Sequence, residues 1–172
     1  MNTPNLPGEK QWEYEDLAAL KQRADDAGLR LMALENVPVT FYDEVMTGGP
    51  RMDEQIAHMC TTVRNMGRAG IPILVYHWVP IGVWRTQDPA TVRGGAKATR
   101  FDLAEHIDAP LTHGREYTAD EMWENYRYYL ERILPVAEET GVKLALHPDD
   151  PPVDSLGGIA RIFGSFEAFE TA

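Results

Sequence analysis

The chain alternates between amphipathic stretches and short apolar runs. Three times an amphipathic stretch is followed by a glycine and then by a short run rich in Leu, Val and Ile, within the segments 27–35, 69–77 and 140–147. A glycine directly after a helix supplies the left-handed residue that ends it. A short apolar run between turn signals suits a strand buried on both faces of a parallel sheet. The pattern therefore predicts three helix–glycine–strand units.

Apolar residues recur every three or four positions before each of the glycines Gly28, Gly70 and Gly141, which is typical of helices with one apolar stripe. Thr118 and Glu121 have the spacing of a capping box and predict the start of the third helix, and a fourth helix is expected after Ser165. Alternation of helices and strands with short turns predicts an α/β fold with a parallel sheet and right-handed crossovers.

The connections after the first two predicted strands, residues 36–50 and 79–117, are long. A connection of that length within a compact domain is usually functional. Ligands of α/β folds bind at the carboxyl ends of the strands. We therefore expect the chemistry to gather where the predicted strands end.

A potential metal ligand or acid–base group ends each predicted strand: Glu35, His77 and His147. Side chains at equivalent depths of neighbouring parallel strands converge on one pocket, so these three predict a site in which Glu35 and His77 are catalytic. The alternative is that each is a hydrogen-bonded polar residue at a strand end, without further role.

The most distinctive motif is HPDDPP, residues 147–152. Its prolines make a stiff loop that carries Asp149 and Asp150 beside His147. Imidazole and carboxylate both bind Mn²⁺, Fe²⁺ or Zn²⁺, and one carboxylate could orient the imidazole while the other binds substrate hydroxyls. Trp84 and Arg85 are a second cluster of candidate binding residues. An indole can line a sugar-sized pocket, and a guanidinium matches a carboxylate.

Composition narrows the class of protein. The 172 residues carry a formal net charge of −11 and no basic cluster, which argues against nucleic-acid or anionic-membrane partners. There is no apolar run long enough to span a membrane and no secretory signal pattern, so we expect a soluble, cytoplasmic protein. The single cysteine, Cys60, excludes an internal disulfide and lies on a predicted apolar stripe, where core packing is expected.

Taken together, HPDDPP, the strand end ENVPV (35–39) and the segment WVPIGVWRT (78–86) resemble the mannonate dehydratase family of xylose isomerase-like TIM barrels. The family's Leu-Gly-Gly…Arg-Ile stretch matches residues 156–162. Asn36 stands where the family has Ser, and the match at residues 84–86 is loose. The resemblance covers roughly residues 14–165 and implies one (β/α)₈-type domain over residues 1–172. A complete barrel needs about 250 residues, so a partial barrel is expected.

The resemblance implies a hydro-lyase that uses Mn²⁺ or Fe²⁺ to dehydrate D-mannonate to 2-dehydro-3-deoxy-D-gluconate in hexuronate (glucuronate) breakdown. His147 matches the first of the family's metal ligands, His, Cys, His and Asp, and the other three belong to later motifs that this sequence does not contain. Trp84, Arg85, Asp149 and Asp150 are expected to bind the sugar acid. The alternatives are a sugar isomerase or epimerase of the same superfamily, or an inactive truncated sugar-binding relative. A homo-oligomer is also possible, since a partial barrel leaves sheet edges open. A flavodoxin-like domain is the fold alternative, but no phosphate loop follows a predicted strand.

Overall fold

The computed structural model describes residues 5–172, without the side chains of residues 87 and 88. Helices alternate with short strands along the chain. The helices are α1 (Tyr14–Asp26), α2 (Asp43–Thr47), α3 (Met52–Ala69), α4 (Ala119–Thr140) and α5 (Phe166–Thr171). The strands are β1 (Ile73–His77), β2 (Gln87–Thr91), β3 (Lys97–Arg100), β4 (Lys143–His147), β5 (Ser155–Leu156) and β6 (Ile159–Ala160).

The chain divides into two compact units. The first holds Met1–Pro80 and Trp123–His147, and the second holds Ile81–Met122 and Pro148–Ala172. The first unit therefore contains α1 to α3, most of α4, and the strands β1 and β4. The second contains the hairpins β2–β3 and β5–β6 together with α5.

In the first unit, β1 and β4 pair in parallel, as expected for an α/β fold. Leu34 adds a parallel bridge to Leu74. Val75 N–H donates to Leu34 O at one edge of β1, and Pro72 O accepts from Lys143 N–H at the other edge. The strand β1 therefore lies between the segment at Leu34 and β4. Leu74 and Tyr76 are buried on one face of β1, whereas Ile73, Val75 and His77 alternate onto the other, which is only partly covered.

The first predicted strand is reduced to an isolated bridge. The segment 27–35 makes a bridge at its end and no strand, and Leu29 and Met32 are 65% and 45% exposed. Only Leu31 and Leu34 are buried, and this spacing does not provide the two buried faces that a central strand needs. The prediction of a strand buried on both faces is therefore wrong here, although the segment does join the parallel sheet. It is wrong for β4 as well, because no residue of β4 is buried.

The helix ends follow the predicted pattern. Gly28, Gly70 and Gly141 have φ values of 70°, 72° and 69°, the left-handed conformation that a glycine adopts without a steric cost. Leu17 and Leu20 of α1 are buried, and α1 packs on α3. The apolar stripes of α3 and α4 are buried as well.

The two long connections contain more structure than their sequences indicate. A 3₁₀ turn (Val39–Phe41) and α2 lie within residues 36–50. In the second unit, the antiparallel hairpin β2–β3 lies within residues 79–117. A second antiparallel hairpin, β5–β6, follows the HPDDPP loop.

Both predicted helix starts in the second unit are confirmed. Glu121 Oε2 accepts a bond from Thr118 N–H at 2.9 Å, and Thr118 Oγ1 accepts from Glu121 N–H at 3.3 Å, so the capping box is present. The Ser165 hydroxyl accepts from Ala168 N–H at 3.3 Å and caps α5. Within residues 5–172, no helix combines the length and apolar character that crossing a membrane requires.

Candidate active site

Two histidines end neighbouring parallel strands at the same level of the sheet. His77 is the last residue of β1, His147 is the last residue of β4, and the two are register partners. Register partners in a parallel pair point to the same face, because side chains alternate between the faces with a period of two. That face is the partly covered one, so the two imidazoles project side by side from the carboxyl edge of the sheet. The predicted alignment of His77 and His147 is therefore confirmed.

Glu35 lies on the same face but at a different depth. The bridge pairs Leu34 with Leu74, so Glu35 follows at the level of Val75, two residues before His77. Two residues of strand correspond to roughly 6.6 Å. The expectation that Glu35 stands level with both histidines is therefore wrong, because the bridge register does not follow from counting residues after each glycine. Asn36 then takes a positive φ of 65° and ends the paired segment.

Tyr42 is a neighbour of His77 that the sequence did not single out. Its ring is completely buried and meets the His77 ring edge-on, with ring centroids 5.8 Å apart. The Tyr42 hydroxyl donates to His77 O at 2.8 Å, and its oxygen lies 3.4 Å from both His77 N and His77 Nδ1. Burial raises the pKa of Tyr42, while the bond to the His77 backbone opposes the rise, so the hydroxyl keeps its proton.

Arg85 and Asp150 form a two-bond ion pair in the second unit. Arg85 Nη1 donates to Asp150 Oδ1 at 3.0 Å and Nη2 donates to Oδ2 at 2.8 Å. Arg85 Nη1 also donates to Trp84 O at 2.8 Å. The guanidinium that was expected to clamp a substrate carboxylate thus holds a carboxylate of the HPDDPP loop. Substrate binding by Arg85 and Asp150 stays a prediction.

Asp149 points away from Asp150 and is engaged with the backbone. Only 4% of Asp149 is exposed; its Oδ2 accepts from Phe163 N–H at 2.7 Å, and its own N–H donates to Phe163 O at 3.1 Å. These bonds tie the HPDDPP loop to the segment after β6. The two adjacent carboxylates therefore contact different partners, Arg85 for Asp150 and Phe163 N–H for Asp149. Substrate binding by Asp149 stays a prediction.

Arg161 is a buried cation. It belongs to the family-like stretch 156–162, but no role was predicted for it from the sequence. It is 7% exposed, and its Nη2 donates to Pro151 O at 3.2 Å. Its Nε and Nη1 are buried without a partner among the residues that the structure describes. Burial lowers the pKa of Arg161, while the charges of Asp149 and Asp150 raise it. The two carboxylates of the loop therefore offset part of the cost of burying this guanidinium.

Trp84 packs against His106 rather than facing open solvent. Their ring centroids are 5.5 Å apart in an edge-on arrangement, and His106 also stacks on Phe101 at 5.3 Å. The Trp84 ring also lies against Gly157, where a Cβ would come within 3.3 Å of the indole. A sugar-binding role for Trp84 stays a prediction.

The described residues do not complete a metal site. No group of three or more His, Cys, Asp or Glu side chains within residues 5–172 is arranged to hold a metal ion. Cys60 is buried in α3, where its Sγ lies 3.8 Å from Arg132 O, in agreement with the predicted core role. The imidazoles of His77 and His147 have the donor chemistry for Mn²⁺ or Fe²⁺, but two ligands alone do not make a site.

The chain matches one protein family over nearly its whole length. The model of the D-mannonate dehydratase (UxuA) family matches residues 2–113 and 105–171. The mannonate dehydratase of Streptococcus pneumoniae (strain 70585) is 32% identical over 96% of this chain, and that of Shouchella clausii (strain KSM-K16) is 30% identical over 92%. The alignments cover 51% and 52% of these relatives, so the chain spans about half the length of the curated relatives it matches.

A solved structure shows the same likeness. The crystal structure of mannonate dehydratase from Streptococcus suis serotype 2 superposes with a TM-score of 0.83 at 31% sequence identity, over 99% of this chain and 50% of that one. Family model, sequence relatives and structure agree with one another and with the resemblance carried by HPDDPP. The chain belongs to the D-mannonate dehydratase family.

Proposed function

We propose that this chain is a mannonate dehydratase, a hydro-lyase that converts D-mannonate to 2-dehydro-3-deoxy-D-gluconate in hexuronate breakdown. The observation that carries the proposal is the match to mannonate dehydratases over 96% of the chain, which includes HPDDPP. A cytoplasmic location and a possible homo-oligomer belong to the same proposal.

We further propose that the parallel pair β1–β4, the bridge at Leu34 and the surrounding helices are part of a (β/α)₈ barrel. Three features support this: parallel pairing, helices between successive sheet segments, and polar residues at the carboxyl ends of the strands, where barrel enzymes bind their ligands. A single domain over residues 1–172 is part of this proposal.

The reaction removes one molecule of water from a 2,3-dihydroxy acid. A base takes the proton from C2, the C3–O bond breaks, and the hydroxyl leaves as water with a proton from an acid. The resulting enol then becomes the 2-keto-3-deoxy acid. Such a reaction needs two proton-carrying groups near the carbons. Glu35 and His77 lie on one face of the sheet and are proposed for these roles.

A divalent cation, Mn²⁺ or Fe²⁺, would supply Lewis acid chemistry at the carboxylate and the 2-hydroxyl. We propose that His147 provides one ligand, by its match to the family's metal histidine. The described residues hold no complete ligand set. The family resemblance implies that the other three ligands, Cys, His and Asp, belong to later motifs that this sequence does not contain. Trp84, Arg85, Asp149 and Asp150 are proposed to bind the sugar acid or to support the loop beside His147.

The test is to incubate the purified chain with D-mannonate, with and without Mn²⁺, and to measure the 2-keto-3-deoxy acid formed. Turnover by the chain that is lost in His147→Ala, and retained in the matched exposed control His113→Ala, supports the proposal. Turnover that His147→Ala leaves unchanged contradicts the role of His147.

The absence of a three-ligand cluster within residues 5–172 favours a second candidate, a sugar-acid-binding relative without catalysis. Isothermal titration of the same preparation with D-mannonate separates the two, since binding without product formation supports the second. An isomerase or epimerase of the same superfamily would release an isomer with the same mass as the substrate. Mass spectrometry of the product distinguishes it from a dehydratase.

A further inference from the structure

We infer that Tyr42 is a positioning residue that selects the tautomer of His77, so that the proton of the neutral imidazole sits on Nδ1 and the lone pair on Nε2. The contact between the two side chains carries this inference, and it holds whether or not a substrate is bound. Only the consequence for proton transfer rests on the proposed function.

The Tyr42 hydroxyl carries a single proton. A phenol has one O–H to donate and can otherwise only accept. Of its three neighbours on His77, the carbonyl oxygen is closest, at 2.8 Å, and a carbonyl cannot donate in return. The hydroxyl proton therefore lies between Tyr42 and His77 O.

The position of that proton limits how His77 can contact the Tyr42 oxygen. With its proton committed, the Tyr42 oxygen can only accept from the backbone N–H and from Nδ1 of His77, each 3.4 Å away. Nδ1 can satisfy that oxygen only if it carries a hydrogen. A neutral imidazole has one N–H, so Nε2 is then the unprotonated nitrogen.

The surroundings of Tyr42 make this arrangement persistent. The residue is completely buried, and burial raises its pKa, so the hydroxyl does not become a phenolate that could reverse the donor pattern. The same hydroxyl bonds the backbone and faces the ring of one residue, which fixes the end of β1 and the imidazole together. Tyr42 thus determines how the last residue of a strand presents its side chain.

An imidazole with an unprotonated Nε2 is a proton acceptor. In the proposed dehydration this assigns His77 to the removal of the C2 proton and leaves Glu35 for the proton that departs with water. The exchange balances, because one proton moves from C2 to His77 and one moves from the acid to the leaving hydroxyl. On the proposed function, the inferred tautomer thus gives His77 the role of base and Glu35 the role of acid, a division that the sequence left open.

The test is a long-range ¹H–¹⁵N spectrum of the histidine rings of the intact chain, recorded where His77 is neutral, with its signals assigned by their loss in His77→Gln. We expect wild-type His77 to show a protonated-type shift at Nδ1 and an unprotonated-type shift at Nε2. Tyr42→Phe keeps the ring but removes the hydroxyl, and should lower the ratio of the Nδ1–H to the Nε2–H form about tenfold, as expected for one lost hydrogen bond.

Tyr126→Phe is the matched control. Tyr126 is a buried tyrosine of the same unit whose hydroxyl lies 2.9 Å from that of Tyr76, and its loss should leave the His77 tautomer unchanged. A wild-type His77 protonated on Nε2, or the same tautomer ratio in Tyr42→Phe as in wild type, would overturn the inference. The first of these results does not depend on Tyr42→Phe, so the wild-type spectrum tests the inference even where that variant folds poorly.

Turnover gives a separate readout. If the chain dehydrates mannonate, Tyr42→Phe should lower kcat while KM stays close to the wild-type value, because His77 is repositioned and not removed. If the chain does not turn over mannonate but the spectrum shows Nδ1–H on His77, the proposed function fails and the assignment of Tyr42 stands. The two failures are therefore distinguishable.

Discussion

Arg85 and Asp150 are 65 positions apart in the sequence and yet form a bidentate ion pair, with the two N–O distances at 3.0 and 2.8 Å. The planar fork of the guanidinium matches both carboxylate oxygens at once. The pair connects the start of the long connection 79–117 to the HPDDPP loop within the second unit. The HPDDPP loop is the most specific family motif in the chain. The free energy that the Arg85–Asp150 pair contributes to holding this loop can be measured directly.

A double-mutant cycle of Arg85→Met and Asp150→Asn should give a coupling free energy of about 0.5–1 kcal/mol in urea unfolding. The estimate is modest because the side chains are 24% and 41% exposed and the charges are screened by solvent. The matched control is the more exposed single-contact pair Lys10–Glu54, at 3.6 Å, whose coupling should be close to zero. Equal coupling energies in the two cycles would mean that the bidentate geometry adds nothing.

Arg161→Met should lower the free energy of unfolding by about 2 kcal/mol, because it removes the buried cation beside Asp149 and leaves that carboxylate poorly compensated. Asp149→Asn in the same chain should recover part of the loss. Denaturant midpoints of wild type, both single variants and the double variant measure this. An Arg161→Met variant with the same denaturant midpoint as wild type would show that the guanidinium does not compensate the charge of the loop carboxylates.

Glu121 should make the stability of α4 depend on pH. The pKa of Glu121 lies below its ordinary value, first because its carboxylate accepts the Thr118 backbone N–H, with further contributions from Arg115 and the Thr118 hydroxyl. A lowered folded-state pKa means that the contribution is complete above the unfolded value of 4.5 and is lost as the pH falls through the folded value.

Glu121→Gln keeps the spacing of the capping box without the charge. The variant should therefore be less stable than wild type near neutral pH, and the difference should shrink as the pH falls below 4.5. Urea unfolding at a series of pH values measures it. A difference that is constant across the series would remove the charge of Glu121 from the explanation.

Cys60 should resist thiol reagents in the folded chain. It is 7% exposed, and burial raises the pKa of its thiol, against a smaller opposing contribution from Arg64, so both access and thiolate fraction are low. Its reaction with an aromatic disulfide reagent should be slow without urea and complete after unfolding, with Cys60→Ser as the blank. Fast labelling of the folded protein would mean that the packing between α3 and α4 opens readily.

His147 and His77 should respond to Mn²⁺ before the other histidines. In the intact chain, titration with Mn²⁺ should broaden the ring signals of both residues, since they are register partners on one face. The signals of His113, which lies in an exposed segment, should stay sharp. His147→Ala should reduce the broadening of His77. Uniform broadening of all three histidines would indicate non-specific binding.

The sequence by itself determined the features that depend on local patterns. Glycines after apolar stripes marked the ends of three helices, Thr118 and Glu121 marked the start of α4, and the apolar runs ending at His77 and His147 became the parallel strands. The HPDDPP motif indicated the protein family. Each of these signals lies within a few residues of the feature it predicts, so backbone geometry and side-chain periodicity are enough to read it.

Only the tertiary structure decided which residues meet. The predicted depth of Glu35 in the sheet was wrong, because the register of the bridge depends on packing between segments forty residues apart. Three further contacts were not evident from the sequence for the same reason. They are the hairpin in the long connection 79–117, the contact of the Tyr42 hydroxyl with His77, and the ion pair of Arg85 with Asp150. These contacts join distant parts of the chain, and their free energy depends on burial and geometry that exist only after folding.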